Sequence, residues 1–270
     1  MRRFVPLVSL TLFVVSCGTS PATDAYPLIE YPAGVVEPMP APIGMALPVS
    51  ASLKPLDTRS QYAGFGSLTS GTWTKVALAK GDLEVFATAS STEPFMTMPW
   101  TTILGTVTVL TVVDEPDGSW LEVMLPIRPN GSTGFVRVED VDVYAVGGRI
   151  VIDISDRTLV YALDGVEVLH TSVAVGSASN PTPTGSFFVT DSVTVSNPAG
   201  PWGPHALGLS ARSDTITEYN GGDGIIGIHG TNRPGSIGSA ASLGCVRLPN
   251  DIVTLLHGMV PIGTPVDIQA

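Results

Sequence analysis

Cysteine is almost absent: only Cys17 and Cys245 occur in 270 residues. Histidine is scarce as well, with four in the chain, so a cluster of Cys and His ligands for zinc is not on offer. Basic side chains are outnumbered, 13 Lys and Arg against 24 Asp and Glu, for a formal net charge of −11. That balance disfavours nucleic acid, whose phosphates need clustered Lys and Arg. It also disfavours a broad electrostatic grip on an anionic membrane. Charged residues of either sign make up only 14%, which is low for a soluble protein. Glycine-rich strand-to-helix turns in an α/β alternation are missing, and with them the usual dinucleotide site. Past the N-terminal stretch, no apolar run is long enough to span a bilayer as a helix.

What is present is apolar and turn-rich. Hydrophobic residues reach 44%, enough for a real core, and 29 Gly with 23 Pro point to many turns and short strands. The first residues, "MRRFVPLVSLTLFVVSCGTS", place two arginines before an apolar run from Phe4 to Val15. This fits an export signal over residues 1–16. The run ends in Val14-Val15-Ser16-Cys17, which resembles a bacterial lipobox, where the cysteine is lipidated and becomes the new N-terminus. A lipid on Cys17 would leave Cys245 without a partner in the chain, as a free thiol in an exported protein. Residues 17–60, rich in Pro, Ala and Ser without amphipathic period, read as a tether that lets a lipid-anchored protein reach above the membrane.

From about Trp73 the pattern changes to β-branched runs broken by Gly, Asp and Pro. "EPDGSW" marks a turn between two strands, and a Pro-Asn-Gly-Ser loop precedes the alternating "GFVRVEDV". Residues 61–146 are expected to form a small β-barrel-like module. "GSWLEVMLPIRPNGSTGFVRVEDV" resembles a bacterial Src-homology-type barrel, a class that often binds cell-wall polymers; a plain spacer fits the residues equally well.

A second β pattern fills residues 147–270. "RIVIDISDRTLVYALDGVEVLHTSVAVGS" reads as three strands with turns at Ser155-Asp156 and Asp164-Gly165, the latter a strong hairpin signal. "GIIGIHG" reads as a strand that delivers His229 at its end. "NDIVTLLHGM" is the one good helix, with Asn250 or Asp251 as its cap and Ile252, Leu255 and Leu256 on one face. "GTPVDIQA" closes as a strand.

The stretch "IHGTNRPGSIGSAASLGCVRL" places His229 and Cys245 on either side of a loop of small residues. A thiol with a pKa of roughly 8.5 is a poor nucleophile until ionised, and an imidazole within reach can take its proton. Gly244 leaves the backbone open, so the amides of Gly244 and Cys245 are candidates to face a developing oxyanion. Arg247 is a candidate to lower the thiol pKa or to hold a substrate carboxylate. A salt bridge to Asp251 is its structural alternative. His205 lies in a glycine-rich loop near the site, His170 in a strand, and His257 at a helix end, where a cation suits the dipole.

These residues carry a specific resemblance. His229, Gly230, Thr231, Ser242, Gly244, Cys245, Val246, Arg247 and Asn250 match the signature of the L,D-transpeptidases of the YkuD type, and "TPTGSFFV" is similar to members of that family. The resemblance covers about half the chain. It implies a YkuD-like β-sandwich catalytic domain with one short helix, preceded by the small module, so that the fold class is mainly β. It implies a cysteine acyl-enzyme on peptidoglycan stem peptides, three-to-three cross-links, acylation by carbapenems, and no metal or organic cofactor. Cys245 and His229 would be catalytic, Gly244, Gly230 and Ser242 would orient groups or hold the oxyanion, and Arg247, Thr231 and Asn250 would meet substrate. The family orients its imidazole with a third group near Gly230, where only a backbone carbonyl is available. One departure stands out: the family's second histidine is Leu243 here, expected to act by packing. Attachment of a lipoprotein to peptidoglycan, or stem hydrolysis, would use the same acyl-enzyme. A non-catalytic wall-binding module is the alternative from another class.

Overall fold

The computed structural model describes residues 53–55, 73–219 and 222–270. The expected signal peptide, Cys17 and most of the expected tether lie outside the described residues. All described residues belong to one compact unit built almost wholly of strands. The mainly β class expected from the sequence is the class observed.

The first sheet uses β1 (Leu53–Pro55), β2 (Thr74–Ala79), β5 (Val109–Asp114), β6 (Trp120–Met124), β7 (Thr133–Arg137) and β8 (Val141–Val146), while β3 (Leu83–Val85) and β4 (Met96–Met98) form a separate hairpin. The sheet order is β1-β8-β2-β5-β6-β7. Strand β1 falls inside the stretch read as tether. Its Pro55 lies on an edge strand, where proline is tolerated in a sheet.

Gly147 alone separates β8 from β9 (Gly148–Asp153). The chain continues through β10 (Thr158–Leu163), β11 (Val166–Ser172), β12 (Val175–Gly176), β13 (Gly185–Thr194), β14 (His205–Arg212), β15 (Ile225–His229), β16 (Ala240–Ser242), β17 (Val246–Arg247), α1 (Asn250–Met259) and β18 (Pro265–Gln269). An eight-stranded sheet runs β11-β10-β9-β18-β13-β14-β15-β17. Asp164 and Gly165 both have positive φ, 51° and 79°, the backbone a two-residue hairpin of matching twist requires.

Strand β13 contributes to the cores of both sheets. Its residues Phe187 to Asp191 are buried without alternation. Phe187 packs with Ile150, Leu207 and Val266, whereas Phe188 packs with Leu83, Leu110 and Val136 of the first sheet. A strand covered on both faces tends toward a continuous apolar run, as Phe187-Phe188-Val189 does here, with the buried polar Thr190 and Asp191 after it. Val76, Val109 and Val146 close the seam beside Ile262.

Helix α1 differs from expectation at both its cap and its face. The N-cap is neither Asn250 nor Asp251 but Pro249, which makes no side-chain cap bond. The Asn250 side chain is drawn off to the loop after β15. Val253 and Leu256 are buried, and Leu255 is exposed. Each of the two buried side chains contributes on the order of 1.5–3 kcal/mol of burial. Together they press the helix onto the core behind β14 and β15.

Candidate active site

Strand β15 is parallel to β17, with Ile228 opposite Val246 and His229 opposite Arg247. Ile226, Ile228, Val246 and Leu248 all enter the core. Side chains alternate along a strand, so His229, Cys245 and Arg247 leave from the opposite face. The apolar alternation of two short strands thus delivers an imidazole, a thiol and a guanidinium to one face.

His229 is 5% exposed. Its Nδ1 lies 2.6 Å from the Gly230 carbonyl oxygen. A carbonyl can only accept, so Nδ1 carries the proton and the neutral ring keeps a lone pair on Nε2. Burial pushes the imidazole down to about 4; the Gly230 bond opposes this shift and the Arg247 charge adds to it. Trp202 stacks on the ring with centroids 5.1 Å apart and planes at 22°.

Cys245 is half-buried. Its Sγ accepts a hydrogen bond from the Gly227 N–H at 3.4 Å. Burial pushes the thiol up, while that N–H and the Arg247 charge pull it back. Both shifts favour the uncharged forms, thiol and imidazole. Ionisation would accompany attack on a substrate.

The turn before Cys245 is clasped by its own hydroxyl. Ser242 Oγ donates to the Cys245 carbonyl at 2.5 Å and accepts from the Gly244 N–H at 3.1 Å. The Gly244 amide is therefore engaged, and the expected oxyanion pair narrows to the Cys245 amide. Gly244 has φ +117°, and a Cβ there would stand 2.9 Å from Ile226 Cδ1. Both conformation and space demand glycine at this position.

Asn250 and Thr231 hold the loop that follows His229. Asn250 Oδ1 accepts from the Thr231 N–H at 2.7 Å, and Thr231 Oγ1 accepts from the Arg233 N–H at 3.0 Å. Thr231 is buried. Both were expected to meet substrate; in this structure Asn250 Oδ1 and Thr231 Oγ1 are engaged by the loop itself. A Cβ on Gly230 or on Gly203 would collide with Asn250 Oδ1, so the Trp202–Gly203 turn lies directly against the His229 loop.

Arg247 has no ion pair among the described residues, and its Nε is buried without a hydrogen-bond partner. The salt bridge to Asp251 is not formed. A cation beside the thiol with an unmet donor is suited to a carboxylate. Leu243, expected to act by packing, is 43% exposed. His170 lies in the exposed strand β11. His257 closes the helix in its last turn as expected; its Nδ1 is 2.7 Å from Ser192 Oγ, its ring stacks on His205 at 4.1 Å, and burial followed by His205 lowers its pKa, which disfavours the cation there. His205 touches the site through its backbone carbonyl, which accepts from the Gly230 N–H at 3.3 Å. No group of three His, Cys, Asp or Glu among the described residues could hold a metal.

Sequence reasoning missed Trp202 and Gly227. "GPWGPH" signals an aromatic in a tight turn, but its stacking on His229 depends on the loops meeting in space. Gly227 is the residue two before His229, and its role follows from the parallel pairing with β17.

A family model described as the L,D-transpeptidase catalytic domain, YkuD, matches residues 147–268. The chain is 37% identical over 128 residues to YkuD of Bacillus subtilis (strain 168), covering 47% of this chain and 70% of that protein. It is 39% identical over 121 residues to YkuD of Bacillus licheniformis, covering 44% of this chain and 64% of that one. Among solved structures, an L,D-transpeptidase from Mycobacterium smegmatis aligns at 19% identity with a TM-score of 0.38, over 60% of this chain and 82% of that chain.

Proposed function

The chain belongs to the YkuD family of L,D-transpeptidases, and on that premise we propose that it cross-links peptidoglycan through a Cys245 acyl-enzyme. Cys245 Sγ attacks the carbonyl after the L-centre of the diamino acid in a donor stem. His229 Nε2 takes the thiol proton and returns it to the departing amine of the terminal D-residue. The resulting thioester is attacked by a side-chain amine on a second stem, which yields a three-to-three link and frees the thiol. The two half-reactions predict ping-pong kinetics. The Cys245 amide faces the developing oxyanion, and Arg247 receives a carboxylate of the donor. Carbapenems would acylate the same sulfur.

The observation that carries this reading is the Nδ1–H bond from His229 to the Gly230 carbonyl. It leaves the basic nitrogen free on the same surface as Cys245. The test is mass spectrometry of muropeptides after incubation with the protein. Wild type should yield three-to-three dimers and Cys245→Ala none, with the fold retained because little volume changes. Cross-linking near wild-type level in Cys245→Ala would overturn the assignment. We further propose that the protein is exported and lipid-anchored through Cys17, facing the cell wall.

A further inference from the structure

The β6–β7 loop of the first sheet grips the loop that joins β14 to β15. Arg128 Nη1 donates to the Ser213 carbonyl at 2.7 Å, Nη2 to the carbonyls of Ile216 at 3.2 Å and Asp223 at 3.3 Å, and Nε to Asp223 Oδ1 at 2.9 Å. Asn130 pairs with the Arg212 backbone in both directions at 2.8 Å. Arg212 returns a bond from Nη2 to the Pro126 carbonyl at 2.5 Å. Gly224 fits the same grip: it has φ +56°, and a Cβ there would collide with the Ile216 carbonyl.

The gripped loop reaches the nucleophile from its other side. Ser213 Oγ accepts from the Ile216 and Thr215 amides at 3.0 and 3.3 Å. Thr215 Oγ1 then donates to Asn180 Oδ1 at 3.1 Å. Asn180 begins the Asn180-Pro181-Thr182 segment, and Thr182 Oγ1 donates to the Gly244 carbonyl at 2.8 Å. The Ser177 amide donates to the Ser242 carbonyl at 3.0 Å. Gly244 and Ser242 are the residues that fix the backbone of Cys245. Hydrogen bonds joined by short backbone links thus run from Arg128 to the turn that holds the thiol.

We infer that Arg128 is a positioning residue for Cys245, acting through Thr215 and Asn180 on the Ser242–Cys245 turn. The first sheet is then part of the catalytic apparatus and more than a spacer. Its guanidinium is a planar fork that meets three carbonyls and a carboxylate at once, which a lysine cannot imitate. The consequence for reaction rests on the cysteine acyl-enzyme proposed above; the consequence for the thiol does not.

Spatial intermediacy alone does not establish coupling, so the test is a double-mutant cycle. Arg128→Ala, Thr215→Val and the double variant are compared with wild type in the full chain, at a temperature where all are folded by circular dichroism. Two rates are measured across pH: alkylation of Cys245 by iodoacetamide, and its acylation by a carbapenem. Each single variant should change both rates by roughly 3- to 30-fold and move the alkylation pH profile, the scale seen for residues that modulate coupling without touching ligand. The double variant should be no worse than the worse single one, and Arg128→Lys should not restore the rate. Unchanged alkylation rate and pH profile in folded Arg128→Ala would overturn the inference, as would effects that simply add. If wild type is alkylated but never acylated, the functional reading fails, and the alkylation cycle still decides this one.

Discussion

Trp202 lies flat against the His229 imidazole, with ring centroids 5.1 Å apart. The indole covers one face of the ring and keeps water from it, which is part of the burial that holds the imidazole neutral. Removing it should let the ring hydrate. In Trp202→Ala the His229 pKa should rise from about 4 toward its ordinary range, and the acylation rate should fall by roughly tenfold as the base loses its fixed orientation. Trp202→Phe, which keeps a stacking face, should retain most of the rate. NMR titration of the imidazole protons reads the first effect. An unchanged His229 titration in Trp202→Ala would remove the stacking argument.

His229 makes stability depend on pH in a defined window. Its pKa falls from 6.5 unfolded to about 4 folded, so between those values the unfolded chain binds a proton that the native one does not. Stability contributed by the neutral ring is present above pH 6.5 and is lost as pH falls toward 4. Two to three pKa units correspond to about 3 kcal/mol. Denaturant unfolding of wild type and His229→Gln at pH 7.5 and 4.5 checks this, and the substituted protein should lose less on acidification. Separately, His229→Ala should lower carbapenem acylation by roughly two to four orders of magnitude, the scale for loss of a general base.

Leu243 occupies the position of the family's second histidine, and its exposure decides what a substitution does. A side chain 43% exposed can be exchanged for histidine without crowding the core. Leu243→His should leave melting temperature nearly unchanged and keep β-lactam acylation active, with the alkaline side of the pH profile moved down by the added polar group. If Leu243→His switches acylation on from nothing while His229→Ala has no effect, the domain is not a working enzyme and the wall-binding alternative takes over.

Cys17→Ala tests the anchor. The substituted protein should leave the membrane fraction, and its apolar N-terminal run should be removed by another route or stay uncleaved. Detergent partitioning and intact mass of the exported protein read the outcome. Normal processing with retention on the membrane would exclude the lipid.

The sequence alone determined the β class, the Asp164-Gly165 hairpin and the strand that ends in His229, and it offered that histidine and Cys245 as candidates for one site. These are local signals: turn residues that tolerate positive φ, alternation along a strand, and a histidine and cysteine set in a run of small residues. It could also say that only a backbone carbonyl was available beside Gly230, because a missing side chain is legible without coordinates. It could not say what Asn250 does. Capping its own helix and reaching to the Thr231 amide are equally open to an asparagine, and the choice was made by the loop that packs beside it. Nor could it tell that Leu243 faces solvent, that Gly244's amide is taken by Ser242, or that Arg128 grips the β14–β15 loop 85 residues away. Those facts arise where distant segments meet. Hydrogen bonds and burial between them depend on the tertiary arrangement, and no periodicity within one segment encodes them.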